Sequence, residues 1–244
     1  MKSYGQFCPV AKAAEILGDP WSILIVREML LGGDRFSRLQ RGLPRISPTV
    51  LTTRLKELEA NGVIAKRPVS GRRGHEYRLT PAGRELSALI ETYAVWGMRW
   101  ARDEMEQDDL DITCLMFDMQ RGIDTSAFPD GETVLQFTFP DLDQFGRWWL
   151  VCSGQEIDLC YEDPGKDVNC YVTSTSKLLI EAWMGDIPLN AVLRSDQFQI
   201  VGDTQLRRSF AKWFARSSVA KTPRPTEQEH LARVGERSNL NSGH

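Results

Sequence analysis

The chain is poor in the residues that most catalytic and metal centres need. It has three histidines in 244 residues: His75, His230 and His244. The last two lie in a polar C-terminal stretch. Its five cysteines, Cys8, Cys114, Cys152, Cys160 and Cys170, are odd in number, widely spaced and form no CxxC pair. This argues against a disulfide framework and a structural zinc site. There is no GxSxG and no Walker-type GK[ST], so the hydrolase elbow and the P-loop are both missing. No apolar run approaches the ~18 residues that span a bilayer, and MKSYGQFCPV lacks the long apolar stretch of a signal peptide. The composition therefore points to a cytoplasmic non-enzyme with no cofactor, no metal and no membrane partner.

What the chain does have is a split in charge. Residues 1–105 hold 17 Lys and Arg against 11 Asp and Glu, residues 106–216 hold 9 against 19, and residues 217–244 hold 4 against 3. The balances of +6, −10 and +1 give the net −3. A basic front on an acidic back implies two domains, of which only the first suits a polyanion.

The best-signalled element lies in that basic front. RISPTVLTTRLKELEANG, residues 45–62, has Ser47 as an N-cap, Pro48 at the first helical position, and an Asn61-Gly62 stop. Leu51, Leu55 and Leu58 form one apolar stripe. Thr49, Thr53 and Lys56 lie opposite it, with Arg54 on the flank. The spacing predicts three shorter helices before it, over 9–17, 21–31 and 35–43, separated by Gly18-Asp19-Pro20 and Gly32-Gly33 and closed by Pro44. After Gly62 the period becomes that of strands. VIAKRPV (63–69) and HEYRLT (75–80) flank an SGRRG turn, giving a hairpin whose tip carries Arg72 and Arg73. Helices followed by such a hairpin read as a winged helix, with one helix for the major groove and cations at the tip for phosphates.

A helix over 81–105 follows, capped by Thr80. Its Leu86, Leu89, Ile90, Tyr93, Trp96, Met98 and Trp100 supply more apolar surface than a small winged helix needs. A homodimer interface or packing on the second domain would each use it, and a dimer reading a palindromic operator is the expected use. The acidic EQDDLD run at 106–111 reads as a linker. From 112 to 216 the pattern predicts an α+β domain with an antiparallel sheet. Strands are expected over 112–123, 133–141, 147–154, 156–165, 167–175 and the FQIVGD run, and helices over 176–186 and 204–217. Residues 217–244 are polar, contain two prolines and read as a disordered tail.

The first hundred residues resemble the HxlR-type winged helix-turn-helix transcriptional regulators. Cys8-Pro9, DPWSILIVREMLLGG at 19–33, RFSRLQRGLPRISPTVLTTRLKELEANGVI at 35–64 and EYRLTPAGREL at 76–86 carry the resemblance. It implies a dimeric bacterial repressor or activator that binds double-stranded DNA in a sequence-specific way, with repression the expected sign. Carried over by position, Ser47, Thr49, Thr53 and Arg54 would meet the major groove and Arg72 and Arg73 the wing contacts, with Lys56 on the same helix face. In several members a cysteine before the first helix's proline is a thiol redox sensor. Cys8 holds that position here, although it would serve equally as a small apolar interface residue. With no second cysteine in the domain, its disulfide would be intermolecular or with a small thiol.

Residues 147–203 resemble the sterol carrier protein type 2-like fold in their order. Strands come first, then a helix with a Gly-Asp break, then a strand ending Val201-Gly202-Asp203. That resemblance implies an apolar cavity for a small hydrophobic ligand, lined by Trp148, Trp149, Trp183 and Met184, though the same residues also suit a plain core. The expected function is a ligand- or redox-responsive regulator. The alternative is a hydrophobic-ligand carrier with an accessory nucleic-acid-binding module.

Overall fold

The computed structural model describes residues 3–69, 74–102 and 111–233. Its contacts divide the chain into two compact units, Met1–Thr92 and Tyr93–His244.

In the first unit α1 (Pro9–Leu17), α2 (Pro20–Leu30), α3 (Phe36–Gly42) and α4 (Pro48–Ala60) precede the hairpin β1 (Ile64–Pro68) and β2 (His75–Leu79). Prolines open α1, α2 and α4, where the missing N–H costs nothing. α4 stops at Gly62, whose φ of 70° suits the glycine predicted there. Leu51, Leu55 and Leu58 pack with Ile25, Val26 and Leu39 in one core. Each fully buried leucine contributes about 1.5–3 kcal/mol relative to exposure. β1 and β2 pair antiparallel from Ile64↔Leu79 to Pro68↔His75. The Tyr77 N–H donates to the Asp34 carbonyl at 2.7 Å, tying β2 to the loop before α3.

The single helix predicted over 81–105 is two: α5 (Pro81–Glu85) and α6 (Ser87–Trp100). The Thr80 hydroxyl caps α5 and also donates to the Gly62 carbonyl at 2.6 Å. Gly83 is buried against the Val63 carbonyl, and a Cβ there would overlap that oxygen. This close approach holds α5 against Val63, and α6 begins after Leu86. The acidic linker predicted at 106–111 lies, apart from Asp111, outside the described residues.

The second unit corrects two expectations. The 112–123 stretch is not a strand but the helix α7 (Ile112–Gly122). Asp111 caps it by accepting from the Thr113 N–H at 2.8 Å, and its buried residues Ile112, Leu115, Met116 and Met119 follow the i, i+3, i+4, i+7 period of a helix. The sheet is also mixed rather than antiparallel. β3 (Glu132–Thr138), β4 (Arg147–Ser153), β5 (Glu156–Cys160), β6 (Cys170–Ser174) and β7 (Phe198–Gly202) stand in the order β5-β4-β3-β6-β7, and β3 runs parallel to β6. The chain joins β4 and β5 by a tight turn, but it must cross back over the sheet to reach β6 beside β3, and that crossover yields the parallel pair.

One face of the sheet carries Leu135, Phe137, Trp148, Leu150, Cys152 and Val172. It packs on α7, α8 (Ser176–Met184), Phe210 and Trp213 as the main core. The other face holds a smaller cluster of Val134, Trp149 and Val151. α8 is capped by Thr175 and ends at Gly185, in the left-handed conformation with φ 84°. Asp141 accepts from the Ser176 N–H and hydroxyl, the latter at 2.6 Å.

α9 (Leu189–Val192) is a single turn, and the helix predicted over 204–217 is broken into α10 (Thr204–Arg208) and α11 (Phe210–Trp213). At the break the Ser209 hydroxyl donates to the Gln205 carbonyl at 2.7 Å, the local competition that serine offers to helix continuation. The described part of the tail, as far as residue 233, has contacts of its own. The Ser217 N–H donates to the Trp183 carbonyl at 2.9 Å, Arg224 pairs with Asp186, and Glu229 pairs with Arg99 at 2.8 Å. Charged side chains rather than apolar ones hold this segment, so a hydrophobicity reading misses it. Residues 234–244 lie outside the described residues.

Candidate nucleic-acid interface

α4 has two unlike faces. The leucine stripe is buried, while Ser47, Thr49, Thr53 and Lys56 are exposed. The Ser47 Oγ accepts from the Val50 N–H at 3.2 Å, so this residue caps the helix as well as standing on its open end. The Thr53 hydroxyl donates to the Thr49 carbonyl at 3.0 Å and the Thr52 hydroxyl to the Pro48 carbonyl at 2.8 Å. Their protons are spent on the helix, and their oxygens remain as acceptors facing outward. Lys56 has no ion-pair partner among the described residues.

Arg54 stands differently from its expected place in the groove. It is half-buried, with its guanidinium paired to Asp19 at 2.7 Å and to Glu57. Asp19 is the residue that precedes α2. Arg54 therefore ties α4 to the start of α2, and a base contact would have to break that pair. Nothing on the helical wheel of α4 reveals a partner 35 positions upstream. Arg72 and Arg73 lie outside the described residues.

The hairpin adds two cations that the sequence reading passed over. Lys66 and Arg67, on β1, are exposed and have no ion pair among the described residues. The adjacent Lys-Arg in VIAKRPV was the available signal. Arg78 is instead paired to Glu76 at 2.8 Å, and that bond raises its pKa further. Burial, and then the Glu59 charge, push the Tyr77 hydroxyl's pKa up, so it stays neutral.

The other candidates are scattered. Cys8 is the half-buried N-cap residue of α1 and makes no side-chain capping bond. Trp148 and Met184 are buried in the main core of the second unit and Trp183 packs against it, whereas Trp149 belongs to the cluster on the opposite face of the sheet. These four side chains do not converge on one cavity. Among the described residues, no three His, Cys, Asp or Glu side chains gather to hold a metal, and no helix is long and apolar enough to cross a membrane.

Comparison with known proteins places this geometry. The model of the HxlR-like helix-turn-helix family matches residues 16–105. The chain is 37% identical over 97 residues to the HTH-type transcriptional regulator YvaP of Bacillus subtilis, covering 39% of this chain and 90% of that protein. The chain belongs to the HxlR-like helix-turn-helix family. A second HTH-type regulator, sll1512 of Synechocystis, is 35% identical over 102 residues, which are 41% of this chain and 75% of that protein. The Mycobacterium tuberculosis regulator Rv3095 is 43% identical over 89 residues, 36% of this chain and 56% of its own length. Among solved structures, the reduced form of YodB from B. subtilis shares 30% identity over 40% of this chain and 98% of its own, with a TM-score of 0.35. The first unit is thus a winged helix-turn-helix of a family of DNA-binding transcriptional regulators, which is not an enzyme class. The family match ends at residue 105.

Proposed function

We propose that this HxlR-like protein is a sequence-specific, dimeric repressor that lays α4 of each protomer in a major groove of a palindromic operator. The observation that carries this reading is the two-faced α4. Its leucines are spent on the core, while Ser47, Thr49, Thr53 and Lys56 stand uncovered, and the hairpin carries the exposed cations Lys66 and Arg67. Thr49 and Thr53 offer acceptor oxygens to base edges. Lys56, Lys66, Arg67, Arg72 and Arg73 serve the phosphates, which fix register without reading sequence. Arg54 acts as a brace for α4 rather than as a reader.

Dimerisation is supported by α6. Leu89, Tyr93 and Trp96, spaced i, i+4, i+7, are 37%, 55% and 59% exposed, an apolar stripe that a single copy leaves in water. Phe7 in the N-terminal arm is 97% exposed, and the arm is held by Glu15, which accepts from the Tyr4 N–H at 2.8 Å.

The second unit acts as the sensor. Support for a sterol carrier-like origin is the order of its elements: strands, then α8 interrupted at Gly185-Asp186, then β7 running into Asp203. A second signalling route runs through Cys8. It stands half-buried at the N-cap of α1 and makes no side-chain capping bond there. Whichever input operates, it must favour one of two dimer states with different DNA affinity.

The test is binding to the DNA upstream of the protein's own gene against scrambled DNA of equal length, before and after mild thiol oxidation. A preference of about a thousandfold or more is expected at near-physiological salt. A change on oxidation that disappears in Cys8→Ser assigns the redox route. Equal weak binding to both duplexes would favour the carrier reading.

A further inference from the structure

The inward-facing rows of β3 and β4 end, at one edge of the second unit's main core, on Thr133 and Cys152. These two residues face each other in register. Beyond them a cleft of about 590 Å³ opens, within the range of about 300–1,000 Å³ typical of small-molecule sites. Thr133 and Cys152, each only 2% exposed, form its floor. Phe128 and Pro129 line it as well, together with Ser153 at the end of β4 and Gly154 of the β4–β5 turn. The walls are fixed. The Thr125 hydroxyl donates to the Gly154 carbonyl at 3.1 Å, the Gln205 amide donates to the Ala127 carbonyl at 3.0 Å, and the Phe128 ring meets Trp213 edge-on with centroids 6.0 Å apart.

The chemistry of the floor selects the ligand. The Thr133 hydroxyl has no hydrogen-bond partner among the described residues, although the residue is almost wholly buried. The hydroxyl is within reach of the cleft, so its O–H can donate to an acceptor bound there. Burial pushes the Cys152 thiol up to about 12, so at neutral pH it is an S–H group: a weak donor and not a nucleophile. The floor therefore offers donors. No Lys, Arg or His lines the cleft among the described residues, whereas Asp130 does. Glu132, next to it, is already paired to Lys166. The lining thus gives an anion no cation to pair with. Phe128 and Pro129 provide an apolar surface for a ring.

We propose that this cleft binds a neutral, ring-bearing carbonyl compound (a ketone, ester or amide) whose oxygen accepts a hydrogen bond from the Thr133 hydroxyl. Binding itself is independent of the DNA reading. Only its regulatory consequence rests on that reading.

The probe is benzophenone, which carries the required groups and cross-links where it binds when irradiated. Titration of the full chain followed by calorimetry, then irradiation and peptide mapping, gives affinity and location separately from any DNA assay. Saturable binding is expected, with adducts confined to residues 125–133 and 152–155. Diphenylmethane, the same shape without the carbonyl, should bind roughly fivefold or more weakly, the worth of one hydrogen bond. Thr133→Val should remove that difference and Thr133→Ser should keep it. The comparison of the two probes on the unmodified chain stands even if a variant fails to fold. Equal affinity for the two probes, adducts elsewhere, or no saturable binding would each overturn the proposal.

Discussion

α4 and α8 begin alike and end up in different trades. Ser47 opens α4 by accepting from the Val50 N–H at 3.2 Å, and Thr175 opens α8 by accepting from the Leu178 N–H at 3.4 Å. In α4 only Leu51, Leu55 and Leu58 are buried. In α8 the buried set is Ser176, Leu178, Leu179, Ile180, Ala182 and Met184. α8 has spent nearly all its faces on its own core and has nothing left to offer a partner. α4 has spent one, and the face it keeps carries hydroxyl acceptors and a cation. The physical condition for a reading helix is this surplus: enough apolar contact to hold it rigid, and a polar face that the fold does not consume.

Substitutions can break this comparison directly. The largest effects belong to the buried faces. Leu55→Ala in α4 and Leu179→Ala in α8 should each cost about 2–5 kcal/mol of stability, read as a lowered denaturation midpoint. If Leu55→Ala proved neutral, α4 would not be anchored as described. Gly83→Ala should also destabilise, by about 1–3 kcal/mol, because its methyl group has to displace the Val63 carbonyl.

The exposed face of α4 should behave in the opposite way. Thr49→Ala and Thr53→Ala should leave stability within about 0.5 kcal/mol yet weaken specific DNA binding by about 1–3 kcal/mol per lost base contact. Lys56→Ala should weaken binding to all sequences alike and flatten the salt slope by about one unit. The double change of Arg72 and Arg73 to alanine should do the same with a larger drop in slope. An unchanged slope would remove the hairpin from the interface. Ser47→Ala mixes the two classes, since it loses the cap at about 1 kcal/mol as well as any contact.

The smallest effect is one of pH. The Lys12 ammonium, then the Tyr4 N–H, hold the Glu15 carboxyl below its ordinary value of 4.5. A lowered folded value means that the carboxylate's grip on the arm is present above that ordinary value and is lost as pH falls through the lowered one. The protection of the Tyr4 amide, relative to its intrinsic exchange rate, should therefore fall as pH drops below that ordinary value, and Glu15→Gln should remove the transition. A protection that does not change with pH would show that Glu15 does not hold the arm.

Much of the first unit was legible because its signals are local. Pro48 after Ser47, the leucines at 51, 55 and 58, and Gly62 each act within a few residues, and the helix they predict, capped by Ser47 and stopped by Asn61-Gly62, is α4. What escaped was non-local. Arg54 looked like a groove residue because Asp19 is invisible on its wheel. In the second unit, ITCLMFDMQRGI alternates well enough to pass for a strand, and only the partners of Leu115, Met116 and Met119 decide for a helix. The parallel β3–β6 pair could not be read from strands alone, because it depends on where the chain crosses. Trp148 and Trp149 are neighbours in sequence and so lie on opposite faces of one strand, which the expected cavity overlooked. The tail is held by ion pairs at Asp186 and Arg99, which composition does not show.

The most direct test of the central claim is selection of binding sites from a random duplex library, run in parallel with the full chain and with a Thr49→Ala, Thr53→Ala variant. The account predicts that the full chain enriches an inverted repeat whose half-sites lie about one helical turn apart. The variant should then lose preference at defined positions within each half-site while retaining its affinity for unselected DNA. Enrichment of the same motif with the same strength by both proteins, or of no motif by either, would contradict α4 as the reading helix.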